Sequence, residues 1–581
     1  MRSKNRHTGG GAVRRRQAVA LSREYELLIL IVAFGLILTF WLFKGLSNYG
    51  DDFAYVGLVP QVLQGGYAEN INIFSLRPML LLPLSLSIAV LGYTDIGAGM
   101  YGVMCYVCII IATYVLGKEM YDARAGLIAA FLFSFYPIAL LYNSAPSPMM
   151  PLVLFLLLSI IAFRRGMRQD NVWYYWLSGV FTFMGALTDP LGYVYAVFYV
   201  FYIFGGYLWG YARRSGPAAG YWRLMYFVGI ATSIAALAIV NIQVTHTLPF
   251  YELSFTNSYY SAAGGPDEIY YTNPSLTFYL NGYFSYNLSS LVTSVYNRTL
   301  VRQGFIYAIE NGPPRAASQI LNRIFNLSQV NISEVGLFPY AVVILCAYLL
   351  YRRERKAYFL ILWAAVVVAY MEFGTMSLTH YFPIYKLMRF TAIAAVPFVL
   401  IMGIAISKAL GPPRRRSNAA IAGSVALIAL LLVTSLPDEY WFYIFNHNGM
   451  QFMKTDATIL LNAPGVHNST ILAPALDPYY LLYYMHFPYL AGGIVEYDNG
   501  SYGGQYMPNC SQIPPRSYLI IPSQSDISYI NSAGLWSVDE PWAYNPSQCG
   551  LKLYADVYNN STISNSSIVD RLFAGNIYYK G

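Results

Sequence analysis

Two adjacent carboxylates, Asp51 and Asp52, open a short segment that runs to a glycine pair at Gly65 and Gly66. Either aspartate can cap the N-terminus of a helix over this segment, and the glycines can end that helix. Tyr55 follows Asp51 by four residues and therefore lies on the same helix face. Capping alone explains the pair. A catalytic role is the alternative, because adjacent carboxylates at a membrane boundary are costly unless they are solvated, paired or used.

A basic residue, Arg77, follows about 25 residues later and directly precedes Pro78 and a further apolar run. A carboxylate can take a proton from a hydroxyl group, while arginine and tyrosine can hold a phosphate by charge-assisted hydrogen bonds. Together these residues favour transfer of a phosphate-linked group to a hydroxyl acceptor. Asp51 and Asp52 can alternatively ligate a divalent metal ion that neutralises the phosphate, which is the one cofactor the sequence indicates.

The composition indicates whether the chain folds in water or in a membrane. A hydrophobic fraction of 56%, with 11% charged residues and a mean hydropathy of +0.43, exceeds that of soluble globular proteins. The chain is therefore predicted to be a multi-pass membrane protein. Its net charge of +8 comes from short basic clusters beside apolar segments. Such clusters are topology signals, so nucleic acid is not expected as a partner.

Eleven apolar segments are long enough, or nearly so, to cross a bilayer. Their basic flanks place the N-terminus in the cytoplasm of a cell-membrane protein, because Lys and Arg gather on the inner side. The chain then divides into a basic cytoplasmic tail over 1–25, a transmembrane domain over 26–435 with outer loops at 45–96 and 245–335, and an extracytoplasmic region over 436–581. The predicted spans cover 26–44, 97–116, 125–142, 147–163, 172–188, 191–211, 224–244, 336–351, 357–371, 390–409 and 419–435.

Two apolar segments need a decision. The first one has the basic flank of a signal peptide, but no convincing small-residue cleavage site follows, so it is predicted to be a retained span. The stretch from Pro78 to Leu91 makes roughly 21 Å of helix, which is too short for the hydrocarbon core. Counting it as a span would also place four arginine clusters outside. It is therefore predicted to lie at the outer interface or to re-enter the membrane.

The region after residue 435 alternates strand-like and helix-like runs, which predicts a small α/β domain. A helix is predicted from Asp477 to Met485, with Asp477 as its cap before Pro478. Cys510 and Cys549 in this region can form a disulfide. The strand-like runs are Thr470 to Ala473, Leu490 to Val495, Tyr518 to Pro522 and Leu551 to Val557.

Other candidate residues have plainer explanations. Asp189 precedes Pro190 between two predicted spans, where a turn former is expected more often than a residue that faces a cavity. His380 and Lys386 suit interfacial anchors, whereas Arg389 reaches the membrane boundary. The cysteine pair Cys105 and Cys108 lies within an apolar run and favours small core residues over a metal site. No phosphate-binding glycine loop, nucleophile elbow or zinc cluster is found.

The acidic pair after the first span, the tyrosine four residues on, the Gly-Gly helix end and the Arg77-Pro78 start of an apolar helix resemble the GT-C fold glycosyltransferases. The pattern is most similar to family 39, the dolichyl-phosphate-mannose protein mannosyltransferase and aminoarabinose transferase group. The similarity continues through Gly117 to Gly126, like the basic inner loop of the family, and includes Arg389-Phe390 before a proline-containing span. It covers residues 26 to 165 and extends to 435.

Carried over to this chain, the resemblance implies Asp51 as catalytic base and Asp52 as its acidic neighbour. It implies Tyr55 and Arg77 at the donor phosphate, with Arg389 as a second phosphate ligand. The chain departs from the family pattern in two places. At the first, Leu76 stands where the family often has an acidic residue before the basic-Pro pair. The segment 143–150 likewise lacks the acid of the second outer loop.

The expected fold is an α-helical polytopic membrane protein of about eleven transmembrane helices, GT-C-like, with a small C-terminal extracytoplasmic α/β domain. The expected function is inverting transfer of a sugar from a polyprenyl (dolichyl)-phosphate donor to a hydroxyl of a protein, lipid or glycan at the outer membrane face. Membrane lipids are expected partners. The alternatives are a secondary transporter or lipid flippase, against which no internal repeat is found, and an inactive surface-polymer assembly protein.

Overall fold

Apolar helices make up most of the computed structural model. It describes residues 9–46, 52–63, 77–212, 221–245, 338–373, 392–411, 417–473, 483–485, 494–496, 510–511, 513–521, 545–556 and 576–581. The helices are α1 (Gly9–Trp41), α2 (Asp52–Leu63), α3 (Pro78–Leu91), α4 (Asp95–Met120), α5 (Ala123–Phe133), α6 (Pro137–Tyr142), α7 (Met149–Gln169), α8 (Val172–Ala186), α9 (Tyr193–Ala212), α10 (Met225–Thr245), α11 (Phe338–Tyr351), α12 (Tyr358–Phe373), α13 (Ala392–Leu410) and α14 (Asn418–Leu461).

Each of the eleven predicted spans overlaps at least one described helix, and the protein is a multi-pass membrane protein. Within the described ranges, six helical segments are long and apolar enough to cross a membrane. They are Arg23–Trp41, Asp95–Met120, Met149–Gln169, Trp222–Ile239, Ala392–Leu410 and Asn418–Leu436. The total of about eleven crossings stays a prediction.

One predicted span, 125–142, consists of two helices. The hydroxyl of Ser134 donates to the carbonyl of Phe131 (2.7 Å) at the end of α5. Pro137 then occupies the first turn of α6, where its missing N–H costs nothing. The sequence therefore contained the break, although its apolar composition concealed it.

The short helix α3 has the predicted bounds and the surface of an interfacial element. Its exposed side carries Leu82, Leu86 and Val90, while Leu81 and Leu84 are buried on the other side. A helix that is apolar on both sides fits a boundary between protein and lipid. The buried side packs with α2, and these two helices share an apolar cluster that includes Tyr55, Val59, Leu80, Leu81 and Leu84.

The C-terminal region contains a five-stranded sheet, and the sequence predicted strands in this region. Its strands run in the order β2-β1-β3-β5-β4, with β1 parallel to β2 and β3 and with β5 antiparallel to β3 and β4. Sequence patterns missed β5, and the predicted helix 477–485 lies outside the described residues except for 483–485. The strands are β1 (Thr470–Ala473), β2 (Ile494–Glu496), β3 (Ser517–Ile521), β4 (Leu551–Ala555) and β5 (Asn576–Lys580).

A disulfide and a lysine fasten this sheet. Cys510 and Cys549 form the predicted disulfide, while Cys105 and Cys108 are free cysteines. Lys580, at the end of β5, donates to the carbonyls of Cys510 (2.8 Å) and Ile513 (2.7 Å). The same lysine thus joins the central antiparallel strand to the loop that carries the disulfide.

Removal of the disulfide by Cys510→Ser should destabilise the C-terminal region. The bridge closes a loop of 39 residues in sequence separation, and chain-entropy arguments assign such a loop about 4 kcal/mol. We expect the variant to be cleaved in this region at a lower protease concentration than the wild type. The masses of the released peptides identify the region that is cleaved. Cys108→Ser removes an exposed free thiol and is the matched control. Equal protease resistance of the two variants would contradict the expectation.

Candidate active site

Arg77 lies at the N-terminus of α3, directly before Pro78. Its carbonyl accepts hydrogen bonds from the backbone amides of Leu80 and Leu81, at 2.9 Å each, and so starts the helix. Its side chain makes no capping bond to α3. The guanidinium group is therefore available to other elements, and two of them contact it.

The first contact is with Tyr55 on α2. Nη1 of Arg77 donates a hydrogen bond to the hydroxyl of Tyr55. The guanidinium carbon also lies 5.3 Å from the centre of the tyrosine ring, within the range of a cation–π interaction. Tyr55 is fully buried in the apolar cluster between α2 and α3. The structure thus brings together two predicted site residues that are 22 positions apart.

The second contact is with Asp189, between α8 and a single 3-10 turn at Pro190–Gly192. Oδ2 of Asp189 lies 3.1 Å from Nη1 of Arg77, and the two side chains are only 6% and 11% exposed. Oδ1 accepts a hydrogen bond from the amide of Leu191 (3.0 Å). Asp189 is therefore both the turn former that the sequence favoured and part of the site.

The turn that holds Asp189 lies directly on the end of α8. A Cβ atom on Gly192 would be 2.4 Å from the backbone nitrogen of Ala186, so glycine permits this approach. The amide of Asp189 donates to the carbonyl of Gly185 (3.0 Å). The carboxylate that faces Arg77 is consequently fixed by the backbone of two consecutive elements.

The other predicted site residues divide into two groups. Asp52 is the first residue of α2, in the first helical turn, and is 3% exposed. A carboxylate there is favoured by the partial positive charge of the helix N-terminus. Asp51 and Arg389 lie outside the described residues, as do His380 and Lys386. Within the part of the chain that the structure describes, no three His, Cys, Asp or Glu side chains are grouped as metal ligands.

The segment 143–150, which lacks the acid of the family's second outer loop, packs against the end of α1. The side-chain amide of Asn143 donates to the hydroxyl of Thr39 (2.8 Å). The hydroxyl of Ser144 accepts from the amide of Lys44 (3.0 Å), and Nζ of Lys44 donates to the carbonyl of Leu140 (3.3 Å). Lys44 is thus a buried cation that the sequence reasoning missed, because a lysine at the end of a span is usually an interfacial anchor.

A buried cation with two polar partners, at the start of a short helix that exposes an apolar side, is suited to an anionic ligand with an apolar chain. Comparison with known proteins agrees with this class of site. Residues 77–243 match the family model described as dolichyl-phosphate-mannose-protein mannosyltransferase, a segment that contains both Arg77 and Asp189. The resemblance predicted from the sequence is confirmed, and with it the enzyme class, a membrane glycosyltransferase that uses polyprenyl-phosphate-linked sugars.

An archaeal oligosaccharyltransferase of known structure shares the fold. The oligosaccharyltransferase of Archaeoglobus fulgidus in its apo form is 12% identical, with a TM-score of 0.52 over 90% of this chain and 72% of that one. Its complex with zinc and sulfate is 13% identical, with a TM-score of 0.50 over 89% and 70%. ArnT from Cupriavidus metallidurans bound to undecaprenyl phosphate is 13% identical, with a TM-score of 0.47 over 87% and 94%. No curated protein sequence matches the chain significantly.

The ion pair should be necessary for the stability of the site. Asp189→Asn keeps an oxygen for the amide of Leu191 but leaves the buried guanidinium uncompensated, which we expect to lower the free energy of unfolding by about 3 kcal/mol. Thermal unfolding in detergent would measure this loss. Asp170→Asn changes an exposed aspartate at the end of α7 and is the matched control.

A double variant tests whether the two residues act as a pair. If they interact as the geometry indicates, Arg77→Met combined with Asp189→Asn destabilises the protein less than the sum of the two single changes. Additive losses would show that the ion pair has no energetic significance.

Proposed function

We propose that this protein transfers a sugar from a polyprenyl-phosphate donor to a hydroxyl acceptor at the outer face of the membrane, with inversion at the anomeric carbon. The observation that carries the proposal is the contact of Arg77 with Tyr55 at the start of α3. These two side chains are donors of the kind that bind phosphate oxygens. Tyr55 lies on α2, which begins with Asp52, and Arg77 directly precedes α3, which begins with Pro78.

In the proposed reaction, the acceptor hydroxyl attacks the anomeric carbon of the sugar. Asp51 takes the hydroxyl proton, a new carbon–oxygen bond forms, and the bond from the anomeric carbon to the phosphate oxygen breaks. The phosphate leaves with the electron pair, and Arg77 and Tyr55 stabilise its charge by hydrogen bonds. A single displacement inverts the anomeric configuration. Asp52 is the acidic neighbour of the base, and Arg389 a second phosphate ligand.

The apolar face of α3 supports a lipid-linked donor. Leu82, Leu86 and Val90 are exposed along this helix, which begins immediately after Arg77. A polyprenyl chain can lie against such a surface while its phosphate reaches the guanidinium group. A soluble nucleotide sugar would have no use for this face. Membrane lipids cover the rest of the exposed apolar surface.

We also propose that the N-terminus is cytoplasmic and the C-terminal region extracytoplasmic. Ion pairs between distant parts of the chain support the division into two sides, because residues on opposite sides of a membrane cannot pair, and the basic clusters indicate which side is the inner one. The pairs Lys118–Glu24, Arg165–Glu119 and Lys408–Glu354 join segments predicted inside, and the pairs Arg77–Asp189 and Lys454–Asp95 join segments predicted outside.

The donor is testable in proteoliposomes that contain the full chain. We expect wild type to release polyprenyl phosphate from one member of a panel of polyprenyl-phosphate sugars. Asp51→Asn should abolish release, and Arg77→Ala should slow it by about 100-fold, because one preorganised donor to the leaving group is lost. Arg168→Ala removes an exposed arginine from the end of α7 and should release at the wild-type rate.

The same assay addresses the alternatives. Release that is insensitive to both Asp51→Asn and Arg77→Ala would overturn the mechanism. Binding of polyprenyl phosphate without release from any donor would favour a transporter, a flippase or an inactive assembly protein. Repetition of the assay after chelation tests the divalent metal that Asp51 and Asp52 could ligate.

A further inference from the structure

Asp95, the first residue of α4, is the centre of a second cluster of contacts, at the end of α3 that is remote from Arg77. Its Oδ2 accepts from Nζ of Lys454 near the end of α14. Its Oδ1 accepts from the hydroxyl of Tyr484 (2.8 Å). Both carboxylate oxygens are thus held by residues that follow the last predicted span. Nζ of Lys454 also lies 5.6 Å from the ring centre of Tyr484, so the two donors support each other.

The neighbouring residue, Tyr483, connects this cluster to the apolar core beneath the active site. Its hydroxyl donates to the carbonyl of Thr94 (2.7 Å), the residue that caps α4. Its fully buried ring belongs to the apolar cluster that also contains Tyr55 and Leu81. Burial raises the pKa of the Tyr483 hydroxyl, as does the nearby Asp95 carboxylate. The hydroxyl therefore stays protonated and remains a donor at physiological pH.

The end of α1 rests on the same aspartate. Gly45 has a φ of +60°, and a Cβ atom there would lie 2.5 Å from Cβ of Asp95. Glycine is therefore required for both the backbone conformation and the space. The chain leaves this contact and reaches Asp52 only seven residues later. Asp95 consequently fixes where the segment that bears the predicted catalytic carboxylates begins.

These contacts place α3 between two fixed points. Arg77 is held by Tyr55 and Asp189 at one end, and the turn before Asp95 is held at the other. The helix α3 joins these points over roughly 21 Å, and although Pro83 lies inside it, its buried side packs with α2 in a shared apolar cluster. A displacement of either end therefore changes the position of the other relative to α2.

We propose that the junction formed by Gly45, Thr94, Asp95, Lys454, Tyr483 and Tyr484 is a positioning element through which the C-terminal region sets the geometry of the donor-phosphate site. Lys454 and Tyr483 are its positioning residues and touch no substrate. The inference rests on the proposed function. It assigns the C-terminal region a role in donor binding, in addition to any role at the acceptor.

Conservative variants of the full chain test this role. Lys454→Met removes the charge but keeps the length of the side chain, and Tyr483→Phe removes only the hydroxyl. The ion pair of Asp95 with Lys454 is more than a quarter exposed, so its loss in Lys454→Met costs little stability. Tyr483→Phe keeps the buried ring in its apolar cluster, and both variants should therefore fold. The matched controls are Lys552→Met and Tyr554→Phe, two exposed residues of β4.

We expect Lys454→Met and Tyr483→Phe each to raise the KM for the polyprenyl-phosphate sugar, and the Kd for polyprenyl phosphate, by about 3- to 10-fold, as for the loss of one hydrogen bond. Lys454→Arg should restore wild-type values, and the two controls should show no change. A merely structural role would lower the folded fraction and leave the KM of the surviving protein unchanged.

The outcomes separate this inference from the proposed function. Wild-type release of polyprenyl phosphate, with KM and Kd values of Lys454→Met and Tyr483→Phe within twofold of wild type, overturns the positioning role alone. Failure of the wild type to release polyprenyl phosphate from any donor overturns the proposed function and this inference with it. Raised KM and Kd values in both variants, reversed by Lys454→Arg, support the positioning role.

Discussion

The interaction on which the rest of the site depends is the burial of one guanidinium group. Taking a charge out of water costs several kcal/mol or more unless it is paired and hydrogen-bonded. Arg77 meets that requirement with a carboxylate from the turn after α8 and a hydroxyl and ring from α2. Three segments that are far apart in sequence are thereby forced to one point. The positions of α2, α3 and the α8–α9 turn follow from that requirement.

The apolar surroundings make this constraint effective. Tyr55 is fully buried among leucine and valine side chains of α2 and α3, where water cannot substitute for its contact with Arg77. Charge interactions are stronger in such surroundings than in bulk water. The two apolar sides of α3 add a second effect, because one side packs against protein and the other is exposed and suits contact with lipid. The site therefore combines a fixed cation with access from the membrane.

Much of this arrangement could be predicted from local sequence patterns. The bounds of α3 followed from the short apolar run from Pro78 to Leu91, and those of β1 followed from its apolar, strand-like run. Tyr55 and Arg77 were expected at one site because both side chains can hold a phosphate by hydrogen bonds. Asp189 was also noticed, although its local role as a turn former was favoured. A carboxylate with two oxygens can serve a turn and an ion pair at once, and sequence patterns reveal only the first.

The contacts that sequence reasoning could not predict are the long-range ones. Lys454 and Asp95 are 359 residues apart, and neither lies in a pattern that indicates a partner. The strand β5 was missed for a related reason, since its pairing with β3 and β4 depends on tertiary contacts more than on its own five residues. The break before Pro137 shows the opposite error, in which hydropathy concealed a local signal. The apolar composition of a segment indicates that it lies in the membrane, but it does not indicate where the helix is interrupted.

The pairing of Arg77 with Asp189 also bears on how a phosphate leaving group would be stabilised. An arginine already balanced by a carboxylate attracts a ground-state phosphodiester, which carries one negative charge, only weakly. As the bond to the sugar breaks, the phosphate gains charge, and the attraction of Arg77 for it grows. An interaction that strengthens along the reaction lowers the barrier, whereas one that is equally strong throughout only tightens binding. In the proposed reaction, Arg77 thus stabilises the departing phosphate more than the intact donor, while Asp189 weakens both interactions and holds the guanidinium group in place.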